Sequence, residues 1–244
     1  MRGQLAGAVR EVNPSAPDRR TCYGPGMQQK FTALTPALYE YVVAHAPPLD
    51  SVLRDLRAET AALGPVARMQ IAVEQGAFLT LLARAIGARD AVEVGTFTGF
   101  SAIAIARGLA GDGRLLCCDV NEEWVALARR YFARAGVAHR ITLRVAPALD
   151  TLRALPSTPS IDLAFVDADK PSYHAYYEEL LLRTRPNGLI LFDNVLWGGA
   201  VLDEASHSES ADAIRALNDL VGRDERVESV MLPIADGLTI VRKR

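Results

Sequence analysis

AVEVGTFTGFSAIAIARGLAGDGRLLCCDV, residues 91–120, holds two apolar runs on either side of a helical one. AVEVG reads as a strand, FSAIAIARGLA as a helix and RLLCCDV as a second strand. Strands this apolar on both faces, joined through a helix, predict a parallel sheet covered by helices on each side.

The same rhythm continues downstream. NEEWVALARRYFARAG is a helix with Asn121 as N-cap, Glu122 and Glu123 in its first turn and Gly136 past its end. ITLRVAP and IDLAFVDAD are strands with a short helix near ALDTLRAL between them. PSYHAYYEELLLRTRPNG enters at Pro171 and puts Tyr173, Tyr176, Tyr177, Leu180 and Leu181 on one stripe. GLILFDN, residues 188–194, is the fifth strand. VESVMLPI and GLTIVRK flank ADG, a hairpin signal that predicts an antiparallel end to the sheet. Upstream, three helices open at Thr35-Pro36, at Asp50 (with Gly64 behind it) and in GAFLTLLARAIG, which stops at Gly87. The expected organisation is an arm at 1–33, disordered or laid on a partner, then a single α/β domain at 34–244. Within that domain, 34–89 form a helical cap and 90–244 a Rossmann-like open sheet with helices on both faces.

Bulk composition narrows the function. The chain has 244 residues, 50% hydrophobic and 23% charged, with net charge −2 and pI near 6.1. That balance gives no basic field for nucleic acid or for a membrane surface. No apolar run approaches the ~20 residues of a membrane helix, and the first twenty residues lack a secretory core. Cys22, Cys117 and Cys118 have no metal or redox spacing and read as reduced thiols of a cytoplasmic protein. The four histidines have no ligand-like spacing either.

Ligands of open α/β sheets bind beyond the carboxyl ends of the strands. Those ends carry Glu93 and Gly95, then Asp119, then Ala146-Pro147-Ala148, then Asp167, Asp169 and Lys170, and finally Asp193 and Asn194. A dinucleotide site favours G-x-G-x-x-G, whereas VEVGTFTGF spaces Gly95 and Gly99 as G-x-x-x-G behind an acid. Glu93 would repel a phosphate but suits an amine or a sulfonium. Asp119, 26 positions later at the next strand end, can accept both hydroxyls of a ribose. A cationic nucleoside without phosphate fits this pattern, and S-adenosylmethionine is such a molecule.

Asp167 and Asp193 are also 26 positions apart, at the ends of successive strands. Neighbouring strands would bring these ends within ~5 Å. Asp167, Asp193 and Asn194 then offer three oxygens to a hard cation, Mg²⁺ before Mn²⁺ or Ca²⁺. Lys170 is one of only three lysines, with Lys30 and Lys243, in a chain that otherwise writes Arg. Lysine can act as a general base where arginine cannot, so Lys170 at this rim is a candidate base.

MQIAVEQGAFL, VEVGTFTGFSA, CCDVN, PAL, FVDADKPSY, FDNVLW and DGLTIVRKR together resemble the cation-dependent class I O-methyltransferases, from about Phe31 onward. That family includes caffeoyl-coenzyme A O-methyltransferases, their bacterial relatives and, more distantly, catechol O-methyltransferase. The resemblance implies that Glu93, Gly95 and Ser101 hold the methionine part of S-adenosylmethionine, Asp119 its ribose and Ala148 its adenine. It implies further cofactor contacts at Met69, Ile71 and Asp169. By the same resemblance Asp167, Asp193 and Asn194 are the metal ligands, Lys170 the base and Trp197 part of the substrate wall. Gly198 stands where the plant enzymes have a substrate-contacting Asn, and GGAVLDEASHSESAD, residues 198–212, also departs from them.

The expected activity is methyl transfer to one hydroxyl of a vicinal aromatic diol, by a homodimer that uses no nucleic acid and no membrane. A non-catechol hydroxyl of natural-product tailoring is the alternative acceptor. Two other readings are a nicotinamide-dependent oxidoreductase on a similar sheet, opposed by the G-x-x-x-G spacing and Glu93, and a non-catalytic binding module that keeps the pocket as a scaffold, opposed by the intact cofactor side, metal side and base.

Overall fold

The computed structural model describes residues 32–203, 205 and 207–244. The expected arm therefore lies outside the described residues except for its last two. The chain divides into two compact units, Met1–Tyr41 and Val42–Arg244. Helix α1 (Pro36–Ala44) has no buried residue. No helix among the described residues is long and apolar enough to cross a membrane.

In the second unit, α2 (Ser51–Ala61) is capped by Asp50, whose carboxylate accepts from Leu53 N at 2.9 Å. A 3₁₀ segment, Gly64–Met69, leads to α3 (Val73–Ala85). This helix begins three residues ahead of GAFLTLLARAIG, and its Gly76 lies against the Phe100 ring where a side chain would not fit. Then β1 (Asp90–Val94), α4 (Phe100–Gly108), β2 (Arg114–Asp119), α5 (Glu122–Arg134), β3 (Ile141–Val145), α6 (Ala148–Ala154) and β4 (Ile161–Val166) alternate as predicted. Asn121 caps α5 by accepting from Trp124 N at 3.0 Å. The chain closes with α7 (Tyr173–Arg183), β5 (Thr184–Asp193), α8 (Glu209–Val221), β6 (Val227–Leu232) and β7 (Leu238–Lys243).

The seven strands lie in the order β3-β2-β1-β4-β5-β7-β6. The first five are parallel; β7 pairs antiparallel to both β5 and β6. The strand order reverses at β1, so the crevice at its carboxyl end, beside β4, is where an open sheet takes its ligand. One prediction needs adjusting: β5 starts at Thr184, where the sequence suggests helix and turn up to Gly188. Its Pro186 falls where the β4–β5 register shifts, at an irregularity that tolerates a missing N–H.

Two apolar layers flank the sheet. Cys117 belongs to the layer under α3, α4 and α5, and its neighbour Cys118 to the layer under α6, α7 and α8. That division is the alternation a strand imposes. The stripe Tyr173, Tyr176, Tyr177, Leu180 and Leu181 is buried in the second layer.

Candidate active site

The β1–β4 crevice is shaped by Gly95. Its φ is +88°, and a Cβ there would overlap the Asp167 backbone carbonyl. Gly95 N donates to Cys118 O and Asp167 N to Val94 O, each at 2.9 Å, so the ends of β1, β2 and β4 are tied together. Just below, Glu93 is fully buried and neither carboxylate oxygen has a hydrogen bond of good geometry. Burial pushes its carboxyl up to about 7, although Ser101, Thr96 and Cys117 stand close enough to oppose the shift. An acid held in this way lacks a positive partner, and an ammonium or sulfonium group supplies one.

A pH dependence follows. Folding raises the Glu93 pKa above its ordinary 4.5, so the folded protein holds more protons than the unfolded chain between that value and about 7. The Glu93 contribution to the stability of the ligand-free protein therefore falls as pH rises through this window. Glu93→Gln is expected to flatten that fall, measured as urea midpoints from pH 5 to 8. A slope as steep as that of the wild type would remove Glu93 as its source.

Asp119 is placed at the β2 end as predicted, but its oxygens are already engaged. Oδ2 accepts from Thr96 N (2.9 Å) and Phe97 N (2.7 Å), and Oδ1 from Val120 N (2.7 Å) and Asn121 N (2.9 Å). Its carboxylate fixes the glycine loop to β2, and a ribose would share these oxygens with the backbone. Ser101 and Ala148 are buried at the starts of α4 and α6. Ile71 is buried, and Met69 is exposed at the end of the 3₁₀ segment. Asp169 accepts from Tyr176 Oη at 2.7 Å.

The acidic ends of β4 and β5 converge on Lys170, which is only 5% exposed. Its Nζ donates to Asp167 Oδ1 at 3.0 Å, Asn194 Oδ1 at 2.7 Å and Tyr173 Oη at 2.7 Å. Those three bonds use every proton of the ammonium. Tyr173 Oη in turn donates to the Asp193 carbonyl at 3.0 Å, tying the cluster to β5. Asp193 is 2% exposed, and its Oδ1 has no hydrogen-bond partner. Burial and the nearby Asp167 push its carboxyl well up, with the Gln75 amide of α3 facing it. Trp197 lies across the cluster, its ring centroid 5.7 Å from Lys170 Nζ.

Asn194 (φ +57°), Trp197 (+48°) and Phe97 (+49°) are left-handed without being glycine. Such residues cost about 1–3 kcal/mol each and gather where side chains must be aimed. Among the described residues no three of His, Cys, Asp or Glu converge as a metal cluster. The set here is two Asp and one Asn: all oxygen, one of them a buried oxygen without a partner, and two of them already holding the Lys170 ammonium. That set fits a hard divalent cation.

Tyr173 was legible only as core, yet beside Asn194 it gives Lys170 a second tie to β5. Its spacing of three from Lys170 was the available signal. Gln75 gave none.

Relatives share this fold and identify its family. Residues 44–244 match the model of the O-methyltransferase family. A probable caffeoyl-CoA O-methyltransferase 1 of Dictyostelium discoideum is 37% identical over 85% of this chain and 92% of its own. The O-methyltransferase from Bacillus cereus, solved in complex with SAH, is 32% identical with a TM-score of 0.79, covering 85% of this chain and 97% of that one. An O-methyltransferase of Streptomyces achromogenes involved in tomaymycin synthesis, solved with SAM, is 31% identical with a TM-score of 0.77, covering 85% and 96%. With the sheet order, the glycine crevice and the family match in agreement, the chain belongs to the caffeoyl-CoA O-methyltransferase-like family of S-adenosylmethionine-dependent O-methyltransferases.

Proposed function

We propose that this O-methyltransferase methylates one hydroxyl of a vicinal aromatic diol, with Asp167, Asp193 and Asn194 holding a divalent cation and Lys170 as the base. The observation that carries this reading is the convergence of the β4 and β5 ends on one buried lysine. S-adenosylmethionine supplies an electrophilic methyl group on sulfonium. A divalent cation supplies charge that favours the ionised form of an aromatic hydroxyl.

The residues divide the remaining work. Glu93 balances the positive charge of the donor from below, and Gly95 lets the donor approach the backbone. Asp119 braces the loop between them. Lys170, once its ammonium has released one proton to solvent, accepts the proton of the attacking hydroxyl at Nζ, and Tyr173 keeps that nitrogen aimed. Trp197 excludes water from the acceptor side. Much of the rate comes from holding nucleophile, methyl group and sulfur in line.

The test is methyl transfer from S-adenosylmethionine to a small catechol panel, with EDTA and with Mg²⁺ restored. The expected result is turnover lost to EDTA and regained with Mg²⁺. Transfer indifferent to EDTA would sink the metal assignment and leave the donor standing. A non-catechol acceptor is favoured by one observation: Gly198 and Gly199, beside Trp197, are both left-handed with open space where side chains would stand. Monohydroxy aromatics in the same panel decide between the two acceptors.

A further inference from the structure

The 3₁₀ segment Gly64–Met69 contains no buried residue, and its Val66 and Met69 are exposed. Burial of apolar surface therefore does not hold it down. The next residue, Gln70, provides a hold. Its Nε2 donates to Thr60 Oγ1 on α2 and to Thr98 Oγ1 in the glycine loop, each at 3.1 Å. Thr60 Oγ1 also donates to Thr98 Oγ1 at 2.9 Å. Both threonines are buried, at 1% and 0% exposure.

Three polar side chains thus close a triangle between a helix, a surface segment and the loop that borders Glu93. Thr98 lies between Phe97, whose N–H is held by Asp119, and Gly99, which opens α4 at φ +91°. The Gln70 amide nitrogen meets both hydroxyls of the triangle. Thr98 Oγ1 accepts twice, so without Gln70 it still keeps Thr60. The segment can be released without stranding either buried hydroxyl.

We infer that Gln70 is a positioning residue for the methyl donor: through Thr98 it fixes the glycine loop and lays residues 64–71 beside the donor crevice. This rests on the donor reading of the β1–β4 crevice given above. Gln70 touches no reacting atom, so its loss weakens donor binding and leaves the chemical step alone.

The experiment compares wild type, Gln70→Met, Thr98→Val, Thr98→Ser and the double variant Gln70→Met/Thr98→Val. Three quantities are read: the Kd for SAH by calorimetry, kcat at saturating S-adenosylmethionine, and amide hydrogen exchange over 64–71. Gln70→Met is expected to raise Kd about tenfold, the scale of a net hydrogen bond, and to speed exchange. Its kcat should stay within about twofold of the wild-type value. Thr98→Val should behave like Gln70→Met, Thr98→Ser should restore binding, and the double variant should be little worse than either single one.

Faster exchange in Gln70→Met with an unchanged Kd would overturn the inference, as would an equal loss in kcat. Wild-type protein that fails to bind SAH would overturn the donor reading and this inference together. Wild-type binding with an unaffected Gln70→Met variant would overturn this inference alone.

Discussion

Lys170→Met lowers kcat by about two to four orders of magnitude, the range that a positioned general base contributes. Lys170→Arg does nearly the same despite keeping the charge. The ammonium sits in a pocket where its three protons meet Asp167, Asn194 and Tyr173 in three directions. A planar guanidinium cannot reproduce that arrangement, and it cannot give up a proton near neutrality. Methionine also leaves Asp167 without its ion-pair partner and the buried Asp193 without a nearby positive charge, so the ligand-free variant melts earlier. Donor affinity separates the two effects, because Glu93 and the glycine loop lie on β1 and the loop after it. The Kd for SAH should move by no more than a few-fold while turnover collapses. A Lys170→Arg enzyme retaining more than a tenth of wild-type turnover would remove Lys170 as the base.

Gly95→Ala is the second large effect, and it acts on the frame of the site. Backbone at φ +88° costs any side chain a strain of about 1–3 kcal/mol. The new methyl group also overlaps the Asp167 carbonyl, a main-chain atom fixed by the Asp167 N–Val94 O bond at 2.9 Å. Relief requires parting β1 from β4 at the end where Asp167 and Lys170 begin. Adding a typical overpacking cost of ~1–3 kcal/mol, the loss of stability is about 2–6 kcal/mol, with activity lost as well. Gly136→Ala is the control: φ is +70°, but the space around it is open. That change should cost only about 1–2 kcal/mol. Equal denaturation midpoints for the two variants would show that the β1–β4 approach is not tight.

Much of this arrangement was legible because strands write their ends plainly. LAFV and GLILF are apolar up to a sudden carboxylate, and parallel neighbours put such ends on one rim. Asp50 and Asn121 were readable as caps because an N-cap is a contact within three residues. What the sequence hid was of two kinds. Thr60, Gln70 and Thr98 meet across 10, 28 and 38 positions, and no local pattern marks a hydrogen bond of that range. Asp119 was assigned by its chemistry to a ligand hydroxyl, but its four backbone donors come from loop geometry that composition does not carry. The early start of β5 was hidden in a similar way. Thr184–Asn187 contain Pro and Asn, which signal turn, and a register shift accommodates them.

The place of β7 between β5 and β6 has a consequence for biosynthesis. β5 leaves the ribosome with β4 already available on one side, but its other neighbour begins 45 residues later, at Leu238 after Asp193. At ~5–20 residues per second that is an interval of about two to nine seconds. During it, Leu189-Ile190-Leu191-Phe192 presents an open strand edge to other nascent chains. Any change that slows the β6–β7 hairpin prolongs this exposure. Such a change lowers the yield of soluble protein while leaving the molecules that do fold as competent as before.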